Sequence, residues 1–469
     1  MNQTLMYRPA WEITSESGPN YGETGTIVLF AQNEGLSSEL SRLIGQKVIL
    51  VQQGDHFRRI NEFVYELNPV NEKDYWQLFQ DLKKSVSGYT HIAHLWSLDH
   101  KSKKGSKMTQ MDRGLFSIFK ISRVISELGV DRQVHIVYMY FNSEPTDAAV
   151  GGFQKSLHLE HPQLRGRTVG VDSSHLKLLP SILQTEIDKG WGGQEVRYSG
   201  KTRQVKKLVA CDLSVWQSVT FKHNGIYLIT GGMGGIGFQI ALYLAKVYHA
   251  KLILSGRSPL HEGIHRNLDK LKKIGAKAIY IQSDISVRTD VEHLIRQARI
   301  HFGQIHGILH CAGEIRDSLI LRKKLSDIRE VIAPKVSGTI YLDEETKDEP
   351  LDWFVLFSSI SGEFGNRGQC DYAYANSFMD NFSYKRENMR KEGRRHGKTL
   401  SINWPMWKNG GIQVDEPTRH LMKETLGLDS ISSEQGVKIL ENGLAMNENH
   451  LTILHGDAEK INAVFFNDN

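Results

Sequence analysis

The stretch Tyr227-Leu-Ile-Thr-Gly-Gly-Met-Gly-Gly-Ile-Gly237 decides how this chain is read. An apolar run enters a glycine turn, and a helical pattern, Phe238 to Val247, follows. Gly232, Gly234 and Gly237 supply G-x-G-x-x-G in the order strand, turn, helix, the context that gives the motif its meaning. The first glycine permits a tight turn, the second lets backbone approach a pyrophosphate, and the third lets helix pack on strand. The helix N-terminus turns free N–H groups and its positive dipole end toward the phosphates. Gly231, Gly232, Met233, Gly234, Gly235, Ile236 and Gly237 are therefore expected to cradle a dinucleotide.

The next strand indicates which one. Ala250-Lys-Leu-Ile-Leu-Ser-Gly-Arg257 ends twenty residues after Gly237. An acidic residue near this position would accept hydrogen bonds from a ribose 2′-hydroxyl. Arg257, with Ser255 beside it, instead suits a 2′-phosphate through charge-assisted bonds. The expected cofactor is NADPH.

Outside these strands the chain reads as an ordinary α/β protein. Its 469 residues predict two or three domains, and 40% hydrophobic with 24% charged residues is a soluble globular composition. The net charge of +5 is spread evenly: residues 1–220 carry 26 basic and 23 acidic side chains, the remainder 32 and 30. With no basic tail or patch, charge gives no case for nucleic acid, and at most a mild preference for an acidic protein partner. Cys211, Cys311 and Cys370 have neither metal-ligand nor disulfide spacing, so no metal is expected and a reducing cytoplasm fits. No apolar run reaches the ~18–20 residues of a membrane span, and the N-terminus lacks a signal-peptide pattern.

Two α/β halves follow each other. In the first, strands are expected at Gly25–Ala31, Lys47–Gln52, Thr90–Trp96 and Val134–Tyr140, with helices at Glu39–Ile44, Tyr75–Val86 and Gly114–Leu128 between them. Alternation of this kind predicts a parallel sheet covered on both faces. Gln32-Asn-Glu-Gly-Leu36 after the first strand has no G-x-G-x-x-G, so this half is expected to bind no cofactor. The join lies near Leu213 to Gly225, giving domains 1–222 and 223–469. Strands in the second half are expected at Gly225–Thr230, Lys251–Ser255, Ala278–Gln282, Ile305–His310, Trp353–Phe357, Thr399–Asn403 and Leu451–Leu454. The glycine-containing and then helical stretch 407–425 suits a lid.

Four residues of the second half fit carbonyl reduction. Ser359 follows the strand Trp353–Phe357; Tyr372 lies thirteen residues later, and Asn376 one helical turn beyond it on the same face. Lys335 sits upstream in Ala333-Pro-Lys-Val-Ser-Gly-Thr. Reduction builds negative charge on the carbonyl oxygen, which Ser and Tyr hydroxyls can hold. The Tyr can donate the proton once a nearby Lys lowers its pKa from near ~10, and Asn376 can hold a side chain or a water in a relay.

Together these stretches resemble a ketoreductase domain of a modular polyketide synthase, within the short-chain dehydrogenase/reductase superfamily. The resemblance is carried by Thr230-Gly-Gly-Met-Gly-Gly-Ile-Gly237, Ser255-Gly-Arg257, Asp284-Ile285 and His310-Cys-Ala-Gly313. It continues through Pro334-Lys-Val-Ser-Gly338, Leu356-Phe-Ser-Ser359, Gly368-Gln-Cys-Asp-Tyr-Ala-Tyr-Ala-Asn376 and Asn403-Trp-Pro-Met-Trp407. Simple short-chain dehydrogenases carry Tyr-x-x-x-Lys; here the fourth position after Tyr372 is Asn376 and the lysine is Lys335, an exchange characteristic of the polyketide branch. Tyr7-Arg-Pro-Ala-Trp11 and Gly152-Phe-Gln-Lys-Ser-Leu-His-Leu-Glu-His-Pro162 extend the resemblance over the first half. It implies a truncated, cofactor-free Rossmann-like subdomain bracing a complete short-chain-dehydrogenase Rossmann subdomain.

The resemblance also implies roles. Tyr372 would be the proton donor, Ser359 would orient the carbonyl, and Lys335 and Asn376 would tune and relay. Asp284, followed by Ile285, would sit beside the adenine, and Ala312 and Gly313 would line the ribose side. The substrate would be a β-ketoacyl chain on the phosphopantetheine arm of an acyl carrier protein, with neighbouring synthase domains as further partners. A Leu-Asp-Asp loop marks the D-hydroxyl class; Ile315-Arg316-Asp317 keeps the final Asp and has Arg in place of the first. The opposite class has Trp eight residues before the Tyr, where this chain has Phe364. A D-hydroxyl product is expected. The Ile-Arg-Asp-Ser form and Asn403-Trp-Pro look most like synthases served by separate acyltransferases. Competing readings are a non-catalytic bracing module, a fatty-acid-synthase-type ketoreductase and a free-standing dehydrogenase of a small alcohol. Met233, where the family usually has Thr, leaves the backbone donors intact.

Overall fold

A computed structural model describes residues 2–14, 25–85, 88–99, 109–129, 132–189, 194–211, 221–411 and 415–466. Its strands form one hydrogen-bonded, mostly parallel sheet of 17 strands with helices packed on it. In the C-terminal part the parallel neighbours run Ala278–Gln282, Lys251–Gly256, Ile226–Thr230, Gly307–His310, Trp353–Ser359, Lys398–Trp404 and His450–Asp457. Counted along the chain, that is the order 3-2-1-4-5-6-7, a doubly wound sheet whose order reverses beside the glycine-turn strand. The N-terminal part repeats it, with Val64–Leu67, Val48–Gln53, Thr26–Phe30, Tyr89–His94, Val134–Phe141, Leu164–Val171 and Glu195–Ser199. The central strands Thr26–Phe30 and Ile226–Thr230 are buried at every residue, as strands covered on both faces should be.

Every strand expected from sequence is present within one to three residues at each end. The helices run Glu34–Ile44, Glu72–Ser85 and Leu115–Leu128, the first starting five residues earlier than expected because Asn33 caps it. Val86 lies outside the described residues. Among the described residues six strands were not expected: Asn2–Ile13, Arg58–Arg59, Val64–Leu67, Leu164–Val171, Glu195–Ser199 and Thr202–Ala210. Leu164–Val171 was hidden by two glycines and two arginines. Arg167 is nonetheless fully buried, because Glu186 pairs with it at 2.9 Å.

These strands change the domain picture. Asn2–Ile13 pairs antiparallel with Thr202–Ala210 on one side and with His450–Asp457 on the other, so the first residues of the chain join both parts of the sheet. The N-terminal part is also not short of strands. What it lacks is a crossover helix between its second and third parallel strands, where the two-residue edge strand Arg58–Arg59 stands in place of the C-terminal part's helix Glu262–Lys273.

The parts pack closely. Helix Val150–Glu160 lies on helix Cys370–Lys391, which carries Tyr372 and Asn376. A Cβ on Gly152 would meet the Ala373 carbonyl oxygen at 2.5 Å, so only glycine allows this approach. The stretch expected as a lid gives helix Glu416–Leu426, N-capped by Asp415 and with no buried side chain; residues 412–414 lie outside the described residues. Among the described residues no helix is long and apolar enough to cross a membrane.

Candidate active site

At the glycine turn the residue with left-handed backbone is Gly231, φ +63°, one position before the motif. The tight-turn role expected of Gly232 therefore falls to Gly231. Gly232 is needed for space: a Cβ there would meet the Ile229 carbonyl at 2.7 Å and Leu254 at 2.9 Å. Gly234 is the N-cap of helix Gly235–Tyr248, with no side-chain cap on the helix and only the Gly231 carbonyl, at 3.3 Å, near a Cβ built there. No side chain takes its N-terminal donors, and the backbone of Gly410 and Gly411 packs on Gly235 and Ile236. Gly237 would press a Cβ to 2.5 Å from the Gly231 carbonyl, which accounts for the third glycine. Met233 and Ile236 pack partly buried against the core beside this helix.

The remaining cofactor candidates sit at neighbouring strand ends. Ser255 is fully buried and its Oγ has no hydrogen-bond partner among the described residues, an orphaned donor that a bound phosphate or ribose oxygen would satisfy. Arg257 is exposed and its Nη2 donates to Glu314 at 2.7 Å. Asp284 accepts from the N–H and Oγ of Ser286 through Oδ1. Ile285 is core, packed on Gly338, so its side chain contributes packing. Ala312 flanks the turn at 3.0 Å from a Cβ built on Gly231. Gly313 makes room for Lys335, whose Cε would lie 2.9 Å from a Cβ there. The uncapped helix end, the orphaned Ser255 and the cation at Arg257 fit a phosphorylated dinucleotide.

Strand Trp353–Ser359 and helices Leu325–Glu345 and Cys370–Lys391 bring the four catalytic candidates together. Lys335 is buried. Its Nζ donates to the Phe357 carbonyl at 2.8 Å and stands 5.6 Å from the centre of the Tyr372 ring. Burial pushes its pKa down to about 8, with Cys311 and Asp380 pulling the other way. Asn376 is fully buried; its Nδ2 donates to the Tyr372 carbonyl at 2.8 Å, and its Oδ1 has no partner among the described residues. Ser359 caps the short helix Ile360–Phe364 through the Ser361 N–H. Burial raises the Tyr372 pKa, and the adjacent Asn376 and Ser359 side chains lower it again, while Asp317 adds to the rise. Lys335 thus lies over the ring and is held by a carbonyl.

The loop before Tyr372 is zipped to the loop that carries Asp317. Ser318 N–H donates to the Gly368 carbonyl at 2.9 Å, and Gln369 Nε2 donates to both Asp317 carboxylate oxygens at 3.0 and 3.2 Å. Buried Lys323 bonds both oxygens of Asp371 and the Arg316 carbonyl, each at 2.8 Å. Glu160, from the N-terminal part, accepts from the N–H of Ile320 at 2.7 Å and of Gly368 at 3.0 Å. Phe364 is turned away from this loop. It packs on Phe465 at 4.5 Å, in a satellite cluster that includes Met422 and Leu426 of helix Glu416–Leu426.

Comparison with known proteins fixes the family. Residues 225–409 match the family described as KR domain, and residues 25–187 match one described as beta-ketoacyl synthase-like, N-terminal. A crystal structure of an N-terminal ketoreductase from the macrolactin assembly line superposes with a TM-score of 0.84 at 30% identity, covering 98% of this chain and 93% of that one. The chain belongs to the ketoreductase domain family of polyketide synthases. A ketoreductase domain from the bacillaene assembly line gives a TM-score of 0.74 at 27% identity, covering 99% of both chains. Polyketide synthase PksN of Bacillus subtilis is 34% identical over 390 residues, 81% of this chain, and PksL of the same organism 37% identical over 322 residues, 66% of this chain. The chain spans 7% of the length of each of these two synthases.

Three residues of this ketoreductase domain lie in stretches that carry the resemblance but have no site role assigned from sequence. Asn403 donates from Nδ2 to Ser358 Oγ at 2.9 Å, the Ser359 carbonyl at 3.0 Å and Asp380 at 2.7 Å, and so positions the serine strand end. His310 is buried and held neutral by burial. Its Nε2 faces the Pro334 carbonyl at 3.1 Å and must carry the proton, so Nδ1 accepts from Thr230 Oγ1 at 2.7 Å. It ties the glycine-turn strand to the residue before Lys335. Glu160 is 212 residues from Tyr372 in sequence, and nothing local marks it.

Proposed function

We propose that this domain is an NADPH-dependent ketoreductase that reduces the β-keto group of a polyketide intermediate on an acyl carrier protein to a D-configured β-hydroxyl. Under this reading residues 223–469 catalyse and residues 1–222 bind no cofactor and brace them. The observation that carries it is the convergence of Tyr372, Ser359, Lys335 and Asn376 on strand and helix ends beside a glycine turn with an uncapped helix.

The cofactor, when bound, supplies the hydride. Gly231 to Gly237, Ser255 and Arg257 would hold its phosphates, and Asp284, Ala312 and Gly313 would border its adenosine and ribose. Ser359 Oγ and Tyr372 Oη hold the carbonyl oxygen and stabilise the charge that develops there. Tyr372 gives that oxygen its proton. Lys335, fixed by the Phe357 carbonyl, stabilises the phenolate left behind. The unpartnered Oδ1 of Asn376 accepts from a water that returns the proton. Asp317, fixed by Gln369, borders the substrate and selects which carbonyl face is presented. Phe364 leaves open the side where a Trp would stand in the opposite class. The carrier's thioester arm enters beside helix Glu416–Leu426. The beta-ketoacyl synthase-like match does not imply a condensing site, since residues 25–187 contain no cysteine to carry an acyl group.

Consumption of NADPH with a β-ketoacyl thioester, followed at 340 nm with chiral analysis of the product, tests the reading. Tyr372→Phe is expected to lower kcat by at least about 100-fold, the usual worth of a general acid, with NADPH affinity within about two-fold. Native chain that binds NADPH and reduces no thioester would favour the non-catalytic bracing module.

A further inference from the structure

Arg257 and Glu314 stand on opposite sides of the glycine turn. The strand that feeds the turn, Ile226–Thr230, lies between parallel neighbours Lys251–Gly256 and Gly307–His310. Arg257 is the first residue beyond one neighbour, and Glu314 follows four residues after the end of the other. Their ion pair, Arg257 Nη2 to Glu314 Oε2 at 2.7 Å, therefore crosses the C-terminal end of the central strand, where a dinucleotide phosphate group would lie. Glu314 Oε1 meanwhile accepts from Arg316 Nε at 2.9 Å. The carboxylate is shared between two guanidiniums and is itself only 18% exposed. Arg316 is anchored from behind by Glu330 and by Asp327 at 3.6 Å.

Resting on the NADPH reading above, we propose that Glu314 is a specificity-determining residue for the cofactor: it occupies Arg257, competes with the ribose 2′-phosphate for that guanidinium, and stays with Arg316 when phosphate binds. A phosphate dianion brought to Arg257 meets the Glu314 charge unless the carboxylate withdraws, and Arg316 gives it a place to go. The pair lowers affinity for a 2′-phosphorylated ligand and leaves the unphosphorylated one unaffected. Because one ion pair is broken as another forms, NADPH binding to the native chain should depend less on salt than binding to a variant without Glu314.

Titrating the whole chain with NADPH, NADH and adenosine 2′,5′-bisphosphate, by calorimetry, reads this without turnover. Glu314→Gln is expected to bind both 2′-phosphorylated ligands about three- to five-fold tighter, the worth of one partly exposed ion pair, with NADH within two-fold. Glu330→Gln removes the same charge without touching Arg257 and should show no such gain. Arg316→Ala should weaken NADPH binding in the native background and not in Glu314→Gln, a coupling only the shared carboxylate produces. Equal NADPH affinity in native chain and Glu314→Gln, or an equal gain in Glu330→Gln, overturns the inference and leaves the NADPH reading standing. If the native chain shows no preference for the 2′-phosphate while Glu314→Gln acquires one, the inference stands and the NADPH reading falls. If neither shows a preference, both fall.

Discussion

The two parts of the sheet have the same strand order, and each begins with a buried strand leading into a helix. They differ at the residue that caps that helix. In the N-terminal part Asn33 caps helix Glu34–Ile44, its Oδ1 accepting from the N–H groups of Gly35 at 2.9 Å and Leu36 at 3.3 Å. In the C-terminal part Gly234 occupies the same place and caps nothing. A helix end capped by its own side chain has fewer donors to offer a phosphate, and an uncapped one keeps them for an anion. The same architecture thus carries a side-chain-capped helix at one turn and an uncapped one at the other.

Transplanting the cap breaks the comparison most directly. Gly234 has φ −81° and ψ 172°, which any residue can adopt. Gly234→Asn is expected to weaken NADPH binding by at least about ten-fold, since it fills the helix end, while the melting temperature holds or rises. Unchanged NADPH affinity would show that the uncapped helix end is not the phosphate site.

A pH profile tests the second difference, the buried cation beside the C-terminal site. Lys335 has its pKa pushed from the ordinary lysine value to about 8 by burial, so it is charged below that pH and neutral above it. If the cation stabilises the Tyr372 phenolate, kcat should fall by up to about ten-fold per pH unit above 8, and Lys335→Met should be slow at every pH and lack that limb. A profile flat from pH 7 to 9.5 would remove Lys335 from the chemistry.

Glu160 measures how far the N-terminal part serves the C-terminal one. Its two charge-assisted bonds hold the Ile320 and Gly368 N–H groups, on the loops of Asp317 and Tyr372. Glu160→Gln keeps one acceptor and loses the other, at a cost of about 1.5–3 kcal/mol. The expected result is a higher KM and a larger fraction of the minor epimer, with NADPH affinity unchanged. A uniform loss of folded protein with an unaltered epimer ratio would make the contact structural only. The smallest effect belongs to Asn33→Ala: about 1 kcal/mol of stability lost with the cap, and no change in NADPH affinity or kcat.

Several features could be read from residues alone. Tyr227 to Gly237 gave strand, turn and helix because periodicity and glycine punctuation are local properties of the chain. Tyr372 and Asn376 share a face because helix geometry fixes i and i+4. Other features could not. That Gly231 carries the positive φ, with Gly232 pressed against the Ile229 carbonyl, depends on how the turn closes. Leu164–Val171 reads as polar until Glu186 is seen to neutralise Arg167. Asn2–Ile13 became the seam of the sheet through partners some two hundred and four hundred and fifty residues away.

What the sequence determined by itself was therefore the set of residues on which the proposed chemistry rests: a glycine turn between strand and helix, a Ser, Tyr, Lys and Asn set, and two successive α/β windings, all written in residue type and short spacing. What only the tertiary structure decided was how those groups are held and modulated. Glu160 on the Ile320 and Gly368 N–H groups, Asn403 beneath Ser359, and Glu314 on Arg257 are contacts between segments distant in sequence. No local pattern encodes them, because they exist only where packing brings a carboxylate or amide to an N–H group or a cation it does not adjoin along the chain.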